Sequence, residues 1–354
     1  MKINQLVWSF ALAFVLWLVA MPTLFAREVI AMSTLSSILS TTDATSLRFI
    51  AIGDLPYSDR ETQMLRGEIA EAITKANPPF VVHYGDFKQG HWNCTDELFI
   101  ASRDDIFRLR PGRVFFTPGD NDWTDCDRTS IEKPVSELER LDFLRRLFFD
   151  KPLNLPASWD YARQPNYPEN ARWMQNGILF ATVHIVGTNN GRQEILLDDI
   201  EAALALVDAR DQANRVWLDK AFTQASQVKA NAVVIVTQAD VTQPEGSGAC
   251  TAFNRINCDA FADFRNQLIR HAANFRERGK PRKPVLLIHG DTNPYCFDKK
   301  FGGDTAPNLW RLNAWGDYQQ PADANEIVVQ PLNLDEPFTA RTLIGQKAPS
   351  VGCD

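Results

Sequence analysis

Five short apolar runs, each closing on a polar residue, constrain this chain more than anything else in it. They read Phe49-Ile-Ala-Ile-Gly-Asp54, Phe80-Val-Val-His-Tyr-Gly-Asp86, Val114-Phe-Phe-Thr-Pro-Gly-Asp120-Asn121-Asp122, Val233-Val-Ile-Val-Thr-Gln238 and Val285-Leu-Leu-Ile-His-Gly-Asp291-Thr-Asn293. Each has the length and composition of a β-strand and ends where a Gly or a polar residue turns the backbone into a loop. One Gly-Asp is an ordinary turn, because both residues are favoured there. In open α/β sheets, however, loops beyond the carboxyl ends of strands carry ligands and catalytic groups, so five endings of one grammar predict a shared site. Asp54, Asp86, Asp120 and Asp291 bring four negative charges to it. Carboxylates in one cleft raise each other's pKa unless a cation neutralises them, and a bound metal is the simplest resolution.

The order and spacing of these motifs resemble the calcineurin-like metallophosphoesterases, whose motifs are D-x-H, G-D, G-N-H-D/E, a lone His after an apolar strand, and G-H-x-H. The resemblance spans residues 48–330 and is close in layout but altered in content. The first motif is Asp54-Leu55-Pro56, with Pro at the His position. The third is Gly119-Asp120-Asn121-Asp122, with Asp for the metal-binding Asn and Asn121 for the catalytic His. Gln238 stands at the lone His position, and the last motif is Gly290-Asp291-Thr292-Asn293. The resemblance implies a four-layer αββα sandwich of two mixed β-sheets over residues 48–354. It also implies a metal site of Asp54, Asp86, Asp120, Gln238, Asp291 and Asn293, with Asn121 at the catalytic position. Phe180-Ala-Thr-Val-His184 resembles the strand leading into the second sheet, and Trp217-Leu218 resembles a helix that often follows it.

Ligand chemistry indicates what the substitutions do. Imidazole suits zinc, iron and copper, whereas carboxylate, amide and water oxygens suit magnesium, calcium and manganese. One or two divalent ions of the second kind (Mg, Mn or Ca rather than Zn) are therefore expected. In the family two metals activate water and clamp the phosphoryl oxygens while a His serves the leaving group. Asn121 donates a hydrogen bond but transfers no proton, and His91 stands near enough in sequence to supply one. His83, His184 and His289, inside apolar strands, read more readily as hydrogen-bonded core residues. Two functions follow: hydrolysis of small phosphate esters, or a pseudoenzyme that binds without turnover.

Lys2 precedes an apolar stretch ending Thr23-Leu24-Phe25-Ala26, the pattern of a secretory signal peptide over residues 1–26, with an uncleaved anchor as the alternative. Residues 27–47, rich in Ser and Thr, read as a flexible lead-in to a secreted or periplasmic domain. The six cysteines form no C-x-x-C pair and fit disulfides, with fifteen pairings open. The fold that the resemblance implies favours Cys94 with Cys126, Cys250 with Cys258, and Cys296 with Cys353. Without residues 1–26 the chain holds 36 basic and 44 acidic residues, a formal charge of −8 (37 − 1 = 36; 36 − 44 = −8). That balance disfavours nucleic acid as a partner, since phosphate neutralisation needs Lys and Arg. No membrane contact beyond a possible N-terminal anchor is expected. Helices are expected from Met64 to Ala76, from a Ser136–Glu139 capping box, and from Ala260 to Arg278.

Overall fold

The computed structural model describes residues 46–353, so the signal-peptide segment and nearly all of the expected lead-in lie outside the described residues. The folded unit begins at Leu47. Along the chain come β1 (Leu47–Ile52), α1 (Asp59–Met64), a π-helical turn (Leu65–Ile69), α2 (Ala70–Ala76), β2 (Val81–His83), α3 (Asp96–Arg108), β3 (Val114–Phe116) and α4 (Glu137–Phe148). There follow β4 (Ala162–Gln164), β5 (Tyr167–Gln175), β6 (Ile178–Thr182), α5 (Ile200–Gln227), β7 (Ala232–Val236), α6 (Ala262–Asn274) and β8 (Val285–His289). The chain closes with β9 (Cys296–Asp298), β10 (Leu309–Asn313), β11 (Asn325–Val329), β12 (Phe338–Thr342) and β13 (Ser350–Val351).

Two mixed sheets result, of order β12-β11-β1-β2-β3 and β13-β9-β10-β8-β7-β6-β5-β4. The strands that carry the motifs run parallel within each sheet: β1, β2 and β3 in the first, β7 and β8 in the second. Their side chains alternate between two cores. Phe49, Ala51, Val82 and Phe115 of the first sheet meet Val234, Val236, Leu286 and Ile288 of the second. Ile50, Ile52, Val81 and Phe116 face the helices on the first sheet's outer side, and Val233, Ile235, Val285 and Leu287 face Trp217, Leu218 and α6 on the other. Strands buried on both faces are apolar at nearly every position, which is why the motif runs read as near-continuous apolar segments. The order of layers is helix, sheet, sheet, helix.

The inner core is aromatic. Phe80 packs against Phe49, Phe115, Trp159, Trp173 and Phe180, and Phe115 lies on Trp173 at 3.4 Å between centroids. The expected helices form with shifted ends. The first starts earlier, at Asp59, because the Ser58 hydroxyl accepts the Glu61 N–H, and it continues through the π turn rather than beginning at Met64. In α4 the Ser136 hydroxyl accepts the Glu139 N–H, but the Glu139 carboxylate grips Arg140 instead of closing the capping box.

All three cysteine pairs are bonded: Cys94–Cys126, Cys250–Cys258 and Cys296–Cys353. Cys94–Cys126 ties the loop after β2 to the loop after β3, the two loops that carry Asp86 and Asp120. With the cysteines 32 residues apart, removing this bond by the paired change to alanine is expected to cost about 3–4 kcal/mol through the freed unfolded chain. Urea denaturation of the double variant measures it, and an unchanged midpoint refutes it.

Candidate metal centre

The carboxyl ends of the motif strands from both sheets converge. Asp86, Asp120 and Asp291 offer carboxylate oxygens that all lie within 4.8 Å of one another. Asp54 joins them through its Oδ2, which accepts the Asp291 N–H at 3.1 Å. Three of these four aspartates stand in left-handed backbone, at φ 51° for Asp54, 55° for Asp86 and 72° for Asp291. Asp tolerates that region better than most residues.

Glycine makes the approach possible. A Cβ on Gly119 would overlap the Asp86 carboxyl, one on Gly290 the Asp54 carboxyl, and one on Gly187 the Asp120 carboxyl. Asp122 fixes the frame from behind: its oxygens accept the N–H groups of Asp86, Phe87 and Gly119 at 2.8–2.9 Å. Burial nonetheless pushes the Asp122 carboxyl up to about 7 against those three donors.

Electrostatics set the problem this centre must solve. Two ionised carboxylates at 4.8 Å repel by about 3–4 kcal/mol at an effective dielectric of about 20. Burial, then the neighbouring carboxylates, drive Asp54, Asp86 and Asp291 well above the usual carboxylate range. Asp317, whose N–H donates to the Asp54 carbonyl, is raised to about 6, by burial and then by Asp120. Partial relief comes from Lys88, which is fully buried. Burial lowers its ammonium, and Asp125, Asp122, Asp86 and Asp120 pull the other way. One lysine cannot balance four aspartates.

Neutral donors occupy part of the carboxylate surface. The Asn121 side-chain N–H₂ donates to Asp86 Oδ2 at 3.1 Å and to the Tyr57 hydroxyl at 3.2 Å, and that hydroxyl donates to Asp86 at 3.3 Å. Gln238 bridges Asp86 at 3.1 Å and Asp120 at 2.8 Å with its amide nitrogen. Its Oε1 is committed to the Gly187 N–H at 2.8 Å, which fixes the amide's orientation. The expectation of Gln238 as an oxygen ligand is therefore corrected: it clamps two carboxylates as a donor. Asn293 is also corrected. It is exposed, and its N–H₂ donates to the carbonyl and carboxylate of Asp317 rather than joining the trio.

The histidines stay out, as their positions inside apolar strands implied. His83 Nδ1 accepts the Gly85 N–H, His289 Nδ1 meets the Gly290 carbonyl, and His184 Nδ1 lies 2.9 Å from Glu169. His91 is exposed and bonded to Ser130. With oxygen donors on three converging strand ends, and with Asp54 Oδ1 buried and unpartnered, the residues present could hold a metal ion.

Several participants carried no legible mark in the sequence, Lys88 and Tyr57 among them. One did. Gly187-Thr-Asn-Asn-Gly191 holds Thr188, Asn189 and Asn190 in consecutive left-handed conformations, which an Asn pair between glycines foreshadows. The turn delivers the Thr188 hydroxyl to Asp120 at 3.2 Å and Asp125 at 3.1 Å.

No protein-family model matches the chain, and no curated protein does. Among solved structures it is similar to one titled "GAP50 the anchor in the inner membrane complex of Plasmodium". The two are 13% identical, with a TM-score of 0.43, over 86% of this chain and 87% of that one. Similarity at that level says nothing of chemistry.

The His184–Glu169 pair yields a pH prediction. Burial, opposed by the Glu169 hydrogen bond, lowers His184 to about 4, so the unfolded chain takes up a proton before the folded one. Its contribution is complete above the unfolded value near 6.5 and declines as pH falls toward 4, by about 3 kcal/mol in all. His184→Gln should flatten the stability curve between those pH values. An equally steep curve in the variant refutes the assignment.

Proposed function

We propose that the chain is a divalent-cation-dependent phosphoesterase of the calcineurin-like scaffold, exported from the cytoplasm, with oxygen ligands in place of the family's histidines. The single observation that carries the reading is the convergence of Asp86, Asp120 and Asp291 within 4.8 Å from three strand ends of two sheets. Asp54, with an unpartnered oxygen, is the fourth candidate ligand. Three disulfides support an oxidising compartment, and no helix among the described residues is long and apolar enough to cross a membrane.

When bound, a magnesium, manganese or calcium ion neutralises the carboxylates and polarises a phosphoryl oxygen and a water. The chain's own residues do the rest. Asp86, Asp120 and Asp291 hold the cation, Gln238 and Thr188 orient Asp86 and Asp120, and the Asn121 N–H₂ steadies Asp86 together with the Tyr57 hydroxyl. Neither Asn121 nor Tyr57 is an acid for the leaving group. Asn121 cannot ionise, and burial and then Asp86 push the Tyr57 phenol well above its ordinary value. Substrates are therefore small esters whose alcohols leave without a proton.

A second reading has its own observation. The N–H₂ groups of Gln238 and Asn121, with Lys88 close by, already cover carboxylate surface, as suits a binding protein that needs no turnover.

Metal analysis, melting and nitrophenyl phosphate turnover separate the two. At cation concentrations about 100-fold above Kd, stability should rise by about 2.7 kcal/mol in the wild type and not in Asp86→Ala. Nitrophenyl esters should turn over with added manganese or magnesium. Alkyl esters should be slower by about a hundredfold or more, since general acid catalysis is missing. Cation-dependent melting without turnover of either ester class moves the reading to the binding protein. Stoichiometric zinc, or a melting temperature indifferent to cation and chelator, overturns both.

A further inference from the structure

A cavity of about 250 Å³ lies behind the loop that follows Asp120, between that loop, α4 and α5. Trp123, Leu141 and Val207 give it an apolar wall, and Leu206, more than half exposed, stands at its rim. Three polar side chains line it as well, each more than nine-tenths buried: Arg210, Trp123 and Glu137. Arg210 Nε and Trp123 Nε1 are enclosed without a hydrogen-bond partner among the described residues.

Three arginines, Arg145, Arg192 and Arg210, stand near three carboxylates, Glu169, Asp211 and the more exposed Asp208, but none of the three pairs with Arg210. Arg145 takes Glu169 at 2.5 Å and Arg192 takes Asp211 at 2.5 Å. Asp208 also goes to Arg192, at 2.9 Å. Arg210 has no carboxylate within ion-pair distance among the described residues and donates only to the carbonyl and side-chain oxygens of Asn190. Glu137 does not compensate it, because burial and the charges of Asp127 and Asp198 push its carboxyl up to about 10 and leave it uncharged at neutral pH. A buried cation without a partner is costly, and an anion in the cavity removes that cost.

We propose that this cavity is a binding site for a small monocarboxylate with an apolar body, its carboxylate on the Arg210 guanidinium and its body against Trp123, Leu141 and Val207. The volume exceeds the roughly 150 Å³ that holds benzene and falls short of the roughly 300 Å³ at which drug-sized sites begin. It therefore suits an acid of six to eight carbons, by that comparison of roughly benzene-sized ligands. The site is separate from the acidic centre, and its occupation does not depend on the reading of that centre.

Calorimetric titration of the intact chain tests it, in the presence of chelator so that no cation at the aspartates can hold an acid. The probes are hexanoate, benzoate and phenylacetate, each beside the alcohol of the same skeleton. At least one acid should saturate a single site and bind at least about tenfold tighter than its alcohol, as a hydrogen bond to a charged group requires. Leu206→Trp, at an exposed position, should weaken that acid about tenfold or more by closing the rim, with the melting temperature unchanged. Arg210→Gln should erase the preference for acid over alcohol, and Leu206→Trp decides the case if that variant does not fold. The proposal falls if no acid saturates below about 10 mM, if acid and alcohol bind alike, or if Leu206→Trp binds the acid as the wild type does.

Discussion

Mutual repulsion among buried carboxylates is the constraint around which this fold is arranged. Asp86, Asp120 and Asp291 meet within 4.8 Å, and nothing in a hydrophobic sandwich requires them to. A carboxylate at a strand end is free to swing into solvent. Here Asp54, Asp86 and Asp291 take left-handed backbone, and Gly119, Gly187 and Gly290 clear the space the carboxyls enter. Left-handed backbone costs about 1–2 kcal/mol per non-glycine residue, so the arrangement is held against both strain and charge. What holds it is the pair of sheets: β1, β2 and β3 are locked by an aromatic core against β7 and β8, and the strand ends have nowhere else to point.

The turn from Gly187 to Gly191 concentrates that strain. Three successive non-glycine residues in left-handed conformation persist only where surroundings over-determine them. They do so here on every side. The Gly187 N–H goes to Gln238, Thr188 to Asp120 and Asp125, the Asn189 amide to the carbonyls of Ile256 and Cys258, and the Asn190 oxygens receive Arg210. Cys258 is itself bonded to Cys250, so the second disulfide braces the loop on which Asn189 rests.

Much of this was legible in the sequence because strands buried on both faces have few polar positions. The runs before Asp54, Asp86, Asp120, Gln238 and Asp291 therefore announce both the sheets and their ends, and Asp86, Asp120 and Asp291 at three of those ends lie within 4.8 Å of one another. What stayed hidden depends on direction rather than identity. Gln238 sits where a ligand was expected, yet a single backbone N–H from Gly187 decides that its nitrogen, not its oxygen, faces the aspartates. Asn293 lies two residues past Asp291, but Asp317, from a loop far along the chain, draws its amide away. Lys88 reads as an ordinary surface lysine. Only the three-dimensional closure of loops tied by Cys94–Cys126 buries it among carboxylates.

The acidic centre and the cavity behind it share structural parts. Trp123 is both the cavity's wall and the third residue beyond Asp120, and Arg210 stacks over its ring at 5.1 Å. Arg210 also donates to Asn190, in the turn whose Thr188 touches Asp120. Arg210 is therefore two hydrogen-bonded steps from a candidate ligand, through a turn held in a strained conformation. The turn's conformation is fixed by those partners and not by intrinsic preference.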